Sequence, residues 1–226
     1  MPIEAVIFDL DGTLAHFNLD YKALRGEVKE YLVHSGVPAS LLGVNESIFE
    51  MLTKAEIFFK NSGKSDSMLD AIRSNALAIA EKYELEAAKS TNLLPGAVET
   101  LKELKNMNLK LAICTTSSQN AASYIVKSYK IEDYFQTLVT RDKVKHVKPS
   151  TEQCETALKT LNVRPKSIII VGDSEADMKS ARELKAVAVG LTTGFATKEQ
   201  LTAAGANYIM TALTDLPILI KEINKN

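Results

Sequence analysis

Asp9 and Asp11 stand two residues apart where the apolar run Val6-Ile7-Phe8 gives way to Asp-Leu-Asp-Gly-Thr, residues 9–13. Carboxylates this close beside an apolar strand repel one another and lose hydration, so something has to compensate them. A divalent cation is the obvious candidate. Taken alone, the stretch also reads as a strand followed by an Asx-type turn, since Asp-Gly is a common turn dipeptide. The other polar residues that follow apolar runs separate the two readings. Thr115 and Thr116 follow the run 109–114, Lys148 precedes Pro149, and Gly172-Asp173-Ser174 follows the run 167–171, with Asp177 four residues after Asp173.

Each residue type has a chemical reason to be there. Mg²⁺ is a hard cation held by one or two carboxylates plus phosphate oxygens and water. Asp9 and Asp173 suit that role, with the backbone carbonyl of Asp11 as a third protein ligand. A phosphate needs donors, which Thr115, the backbone N–H groups near Leu10 and Thr116, and the Lys148 ammonium supply. One carboxylate can attack phosphorus while a second exchanges protons with the leaving group and then with water. Asp9 fits the first task and Asp11 the second, with the Asp11 side chain left free for protons.

These residues meet only if the elements carrying them end at a common edge. Residues 6–8, 109–114, 138–140, 167–171, 186–191 and 208–210 read as strands, and from Leu94-Pro95-Gly96 onward strands alternate with helical patterns. Such alternation predicts a doubly wound parallel sheet covered by helices, with chemistry at the carboxyl ends of its strands. The expected helices after Gly96 are one through Leu101, then 121–130, 151–161, one through Ala181, and a closing helix over 213–223. Between about residues 17 and 88 the pattern is helical without a convincing strand: Asp20 and Asn45 read as N-caps, and Ser35-Gly36 and Asn61-Ser62-Gly63 as stops. The expected organisation is an α/β core of residues 1–16 and 91–226, interrupted by a helical domain over 17–90 that can sit over the strand ends as a lid.

Asp9-Leu10-Asp11-Gly12-Thr13, Thr115, Lys148-Pro149 and Gly172-Asp173-Ser174-Glu175-Ala176-Asp177 together resemble the four ordered motifs of the haloacid-dehalogenase superfamily. The helical insert after the first motif resembles the phosphoglycolate-phosphatase-like branch, which carries a helical cap. The resemblance implies a Rossmann-like core and a Mg²⁺-dependent phosphatase working through an aspartyl phosphate. It makes Asp9 the nucleophile, Asp11 the general acid/base, Thr115 and Lys148 the phosphoryl holders, and Asp173 a direct Mg²⁺ ligand. Asp177 would orient a metal-bound water or Lys148. Two positions depart from the pattern: Thr116 stands where relatives often carry asparagine, and His16 where many have aspartate. A phosphomutase of the same branch is the nearest alternative, and a non-catalytic phospho-aspartate switch is the alternative from another class.

Some residues have plainer explanations. Asp177 also fits as a first-turn acid favoured by the helix dipole, and Thr115 as a helix cap. Arg25, Lys60, Lys64 and Arg73 in the insert read as solvated helix charges. Cys114 and Cys154 match no metal or redox spacing and read as reduced packing residues.

The chain has 226 residues, 46% of them hydrophobic, which supports one good core and a smaller second one. Its formal net charge of −1 provides no basic field for nucleic acid, and no apolar run is long enough to span a bilayer. The expectation is a soluble cytoplasmic protein, monomer or homodimer, whose partner is a small phosphorylated metabolite rather than nucleic acid or membrane.

Overall fold

The computed structural model describes residues 2–16 and 18–225. The chain separates into two compact units, Met1–Phe17 with Ala88–Asn226, and Asn18–Ala87. Phe17, the first residue of the expected helical domain, lies outside the described residues.

The larger unit is built on six strands: β1 Ala5–Phe8, β2 Lys110–Cys114, β3 Thr137–Val139, β4 Ile168–Gly172, β5 Val187–Leu191 and β6 Tyr208–Met210. They form one sheet in the order β3-β2-β1-β4-β5-β6, with every pair parallel. The β1 residues are all buried, as a central strand covered on both faces requires. Phe8 pairs in register with Ile113 and with Val171, so the residues following the three central strands emerge at one level. Ala5 and Ile7 pack with Cys114, Cys154, Leu158, Ile170 and Met178 on one face. Phe8 points to the other face by alternation, edge-on to Phe135 at 6.5 Å.

The helices of this unit are α4 Ala97–Asn106, α5 Gln119–Ser128, α6 Glu152–Leu161, α7 Glu175–Leu184, α8 Lys198–Ala204 and α9 Leu216–Ile223. α8 does not appear in the sequence-based expectation. Its seven residues bury only Leu201 and Ala204, too few for a visible helical period. Its signals are local instead: a Thr197–Gln200 capping box and Gly205 at the C-cap.

The smaller unit contains α1 Tyr21–His34 and α2 Ile48–Asn61, and most of α3 Asp66–Ser90, whose last residues belong to the larger unit. Asp20 caps α1 by accepting from the Ala23 N–H. The cap of α2 is Ser47 rather than Asn45, because Ser47 forms a reciprocal capping box with Glu50 that Asn45 is two residues too early to make. Leu24, Val28, Leu32, Met51, Leu52, Phe59, Ile72 and Ala76 form this unit's own core. Where the chain leaves and re-enters the larger unit, its two segments run side by side: His16 N–H donates to the Asn92 carbonyl and Leu94 N–H to that of Leu14, both at 2.8 Å.

Candidate active site

The carboxyl ends of β1, β2 and β4 deliver Asp9, Thr115 and Asp173 to one edge, as their shared register demands. Lys148 arrives from the segment between β3 and α6, preceding a cis Lys148–Pro149 bond. Its ammonium is buried and spends its three protons on Asp9 Oδ1 at 2.7 Å, Asp177 Oδ1 at 2.6 Å and the Cys114 carbonyl at 2.8 Å. Burial alone would lower the lysine pKa, but the Asp177 and Asp9 carboxylates outweigh it and hold the group above its ordinary value. Lys148 is therefore a fixed positive charge beside Asp9.

One ammonium does not balance this site. Asp9, Asp173 and Asp177 present carboxylate oxygens within 4.8 Å of one another, all on buried residues. Burial raises the Asp9 pKa well above its ordinary value, and the nearby Asp177, Asp173 and Asp11 carboxylates add to the effect against the opposing pull of Lys148. Asp173 is pushed up to about 6, first by burial and then by Asp177, although the Phe195 N–H and Lys148 act in the other direction. The site thus carries uncompensated negative charge on hard oxygen donors, which suits a divalent cation such as Mg²⁺.

The available oxygens also narrow which acids would hold that cation. Asp177 is saturated: Oδ1 takes Lys148, and Oδ2 takes the Ser174 hydroxyl at 2.6 Å and the Ser174 N–H at 3.2 Å in a capping box at the start of α7. Its two expected roles, helix-end acid and partner of Lys148, coexist in one carboxylate. Asp9 and Asp173 are the better ligand pair. Asp173 sits in a cradle that side chains would fill: a Cβ on Gly12 would lie 2.4 Å from Asp173 Oδ2, and one on Gly194 only 1.9 Å away. Gly12 also has φ +85°, which lets the chain turn out of the sheet directly after Asp11.

Several supporting residues are absent from the sequence-based expectation. The Phe195 N–H donates to Asp173 Oδ2 at 2.7 Å, and the Thr13 hydroxyl lies 3.3 Å from Oδ1. Thr193, after β5, donates its hydroxyl to the Gly12 carbonyl at 2.7 Å. Fully buried Gln153 accepts from the Lys148 N–H and donates to the Thr115 and Val139 carbonyls, tying the Lys148 segment to the ends of β2 and β3. Thr115 is buried, and its Oγ1 accepts the Ser117 N–H at 3.1 Å. The Thr116 carbonyl accepts from the Arg141 guanidinium at 3.3 Å. Asp11 is half-buried, and its side chain is not left free: the Ser117 hydroxyl donates to Oδ2 at 2.6 Å. Only Ser174-x-x-Asp177, a capping box in the linear sequence, signals any of these contacts in advance.

The chain is 26% identical over 230 residues to the pyrophosphatase PpaX of Bacillus mycoides, spanning 99% of this chain and 100% of that one. Among solved structures, a hydrolase from Pseudomonas syringae superposes with a TM-score of 0.67 at 27% identity, covering 97% of this chain and 99% of that one. A predicted phosphatase from Clostridium acetobutylicum shares the fold, with a TM-score of 0.69 at 22% identity over 98% of this chain and 100% of that one. The haloacid dehalogenase-like hydrolase model matches residues 6–190, from β1 into β5, and the chain belongs to that family.

Proposed function

We propose that this protein is a Mg²⁺-dependent phosphatase that hydrolyses small phosphate esters through an aspartyl phosphate formed on Asp9. The observation that carries this reading is the buried Lys148 ammonium shared by Asp9 and Asp177 beside Asp173. A carboxylate attacking a phosphoryl dianion meets strong repulsion, and a fixed cation next to the attacking oxygen lowers it. Asp9, Asp173 and the Asp11 carbonyl are the groups that would hold Mg²⁺, whose bound charge would neutralise phosphoryl oxygens.

In the first half-reaction an Asp9 carboxylate oxygen bonds to phosphorus, the bond from phosphorus to the leaving oxygen breaks, and Asp11 gives that oxygen its proton. In the second, Asp11 takes a proton from water, the water oxygen bonds to phosphorus, and the bond from phosphorus to Asp9 breaks. Inorganic phosphate leaves and Asp9 is again a carboxylate. Thr115, whose Oγ1 accepts from Ser117, keeps its hydroxyl proton for a phosphoryl oxygen, and the Thr116 backbone N–H offers a second donor. Asp177 holds Lys148 in place. The helical unit of residues 17–90 is the part we assign to substrate choice, because the groups at the strand ends account for the phosphoryl group and nothing beyond it.

The relative from Bacillus mycoides is named a pyrophosphatase, which favours pyrophosphate as a second candidate substrate. The test is turnover of p-nitrophenyl phosphate, phosphoglycolate, sugar phosphates and pyrophosphate with and without Mg²⁺. Phosphate release that needs the metal and disappears in Asp9→Asn is expected. Undiminished release in that variant, or equal release in the presence of a chelator, overturns the reading.

A further inference from the structure

The hydrogen bond from Ser117 to Asp11 joins residues 106 positions apart, between the turn after β2 and the turn after β1. Ser117 is itself firmly held. Its N–H donates to Thr115 Oγ1 at 3.1 Å, and its carbonyl accepts from the Arg141 N–H at 3.4 Å. Thr116 before it is bound by the Arg141 guanidinium at 3.3 Å, and Ser118 after it caps α5 through the Ala121 N–H. The Gln119 N–H then donates to Asp142 Oδ2 at 2.6 Å. The Ser117 hydroxyl is therefore a donor mounted on a turn that β2, α5 and the segment after β3 pin together.

Asp11 is placed differently. It lies beyond the last β1 residue, is half-buried, and precedes Gly12 in the left-handed region. A general acid works only when its proton-bearing oxygen is held within hydrogen-bond reach of the leaving group, and that demands a fixed rotamer. We infer that Ser117 is a positioning residue for Asp11, holding its carboxyl group in one rotamer through the hydrogen bond to Oδ2. This inference rests on the phosphatase reading and adds to it the residue that aims the acid.

Phenyl phosphate and p-nitrophenyl phosphate test it, because they have nearly the same shape and differ in how much protonation the leaving oxygen needs. Removing the hydroxyl in Ser117→Ala is expected to lower kcat/KM for phenyl phosphate about tenfold or more, and to lower it much less for p-nitrophenyl phosphate. Ser117→Thr, which keeps a hydroxyl, is expected to recover most of the phenyl phosphate activity. Mg²⁺ affinity measured by calorimetry is expected to stay unchanged in Ser117→Ala, since the Asp11 side chain is not among the groups assigned to the metal. Equal losses on the two esters, no loss on either, failure of Ser117→Thr to recover activity, or a parallel loss of Mg²⁺ affinity would each overturn the inference. The wild-type protein keeps the two questions apart. If it fails on both esters and on the wider panel, the phosphatase reading falls and takes this inference with it; if it is active, the Ser117 variants decide the inference alone.

Discussion

The helical unit buries Leu24, Met51, Phe59 and their apolar neighbours and leaves ion pairs such as Lys60–Glu56 at the surface, whereas the carboxyl edge of the sheet buries the charges themselves. Asp9, Lys148, Asp173 and Asp177 are 8%, 6%, 3% and 1% exposed. Glu84 is the helical unit's exception, a buried acid near Tyr21; that phenol's pKa is raised by burial first and, more weakly, by Glu84 against the opposing pull of Arg25. Apolar burial stabilises a fold without further conditions, but buried like charges cost stability unless something binds among them. Charge kept at that cost, at the strand ends of a parallel sheet, is charge kept for chemistry.

The comparison is broken most sharply by Asp9→Asn. The substitution leaves Lys148 paired with Asp177 and the Cys114 carbonyl, so the fold is expected to persist. Turnover is expected to fall by roughly 10⁴-fold or more, as when a nucleophile is deleted. Single-turnover and steady-state assays beside a circular dichroism melt check both halves of the statement.

Lys148→Met tests the buried edge as structure. It strands the Asp9 and Asp177 carboxylates without their ammonium. Breaking a buried pair in this way costs about 3–5 kcal/mol, or roughly 10 °C of melting temperature for a chain of this size. A drop of only a degree or two in the metal-free protein would show that the charges are far better hydrated than their burial implies.

Asp173→Asn should act in the opposite direction on stability. The native state holds the Asp173 proton more tightly than the unfolded chain, with a pKa of about 6 against an ordinary 3.8. The stability this group contributes is therefore present below the ordinary value and lost as pH rises through about 6. In the presence of a chelator, Asp173→Asn is expected to melt several degrees higher than wild type at pH 7.5, and the two proteins should converge near pH 4. Saturating Mg²⁺ should stabilise wild type and leave the variant almost unmoved. A wild-type melting temperature that rises between pH 5 and 7 without metal, and that Asp173→Asn does not alter, would contradict the buried repulsion.

The smallest effect is expected on the other side of the comparison. Lys60 and Glu56 form an exposed i,i+4 pair in α2, and Lys60→Ala should leave the melting temperature and the activity unchanged within error. A shift of several degrees would mean that the helical unit also relies on charge.

Asp9, Asp11, Thr115, Lys148 and Asp173 could be picked out in the chain because each lies just after an apolar strand run or precedes a proline, and Asp177 because it follows Asp173 in the same stretch. Strand runs in a parallel sheet all open at one edge, so residues far apart in sequence could be assigned to one place. All six strands were legible within a residue or so: the inner strands β1, β2, β4 and β5 are almost continuously apolar, and the short edge strands β3 and β6 keep a brief apolar run. Less could be read where the pattern is short or the partner distant. α8 has two buried residues, and the α2 cap required choosing between Asn45 and Ser47.

Ser117 is one of several serines and threonines after β2 until its hydroxyl is seen on Asp11, 106 residues away. Thr193 and Phe195 belong to an ordinary loop until folding lays them against Gly12 and Asp173. Gln153 reads as a helix polar residue until its amide is found joining Lys148 to two strand ends. Residue type and hydrophobic period sufficed to place two neighbouring acids at the end of β1, because these are local properties of the chain. Which oxygen of each acid is held, by which donor, and how far burial lifts its pKa depend on groups that only long-range packing brings within 3 Å.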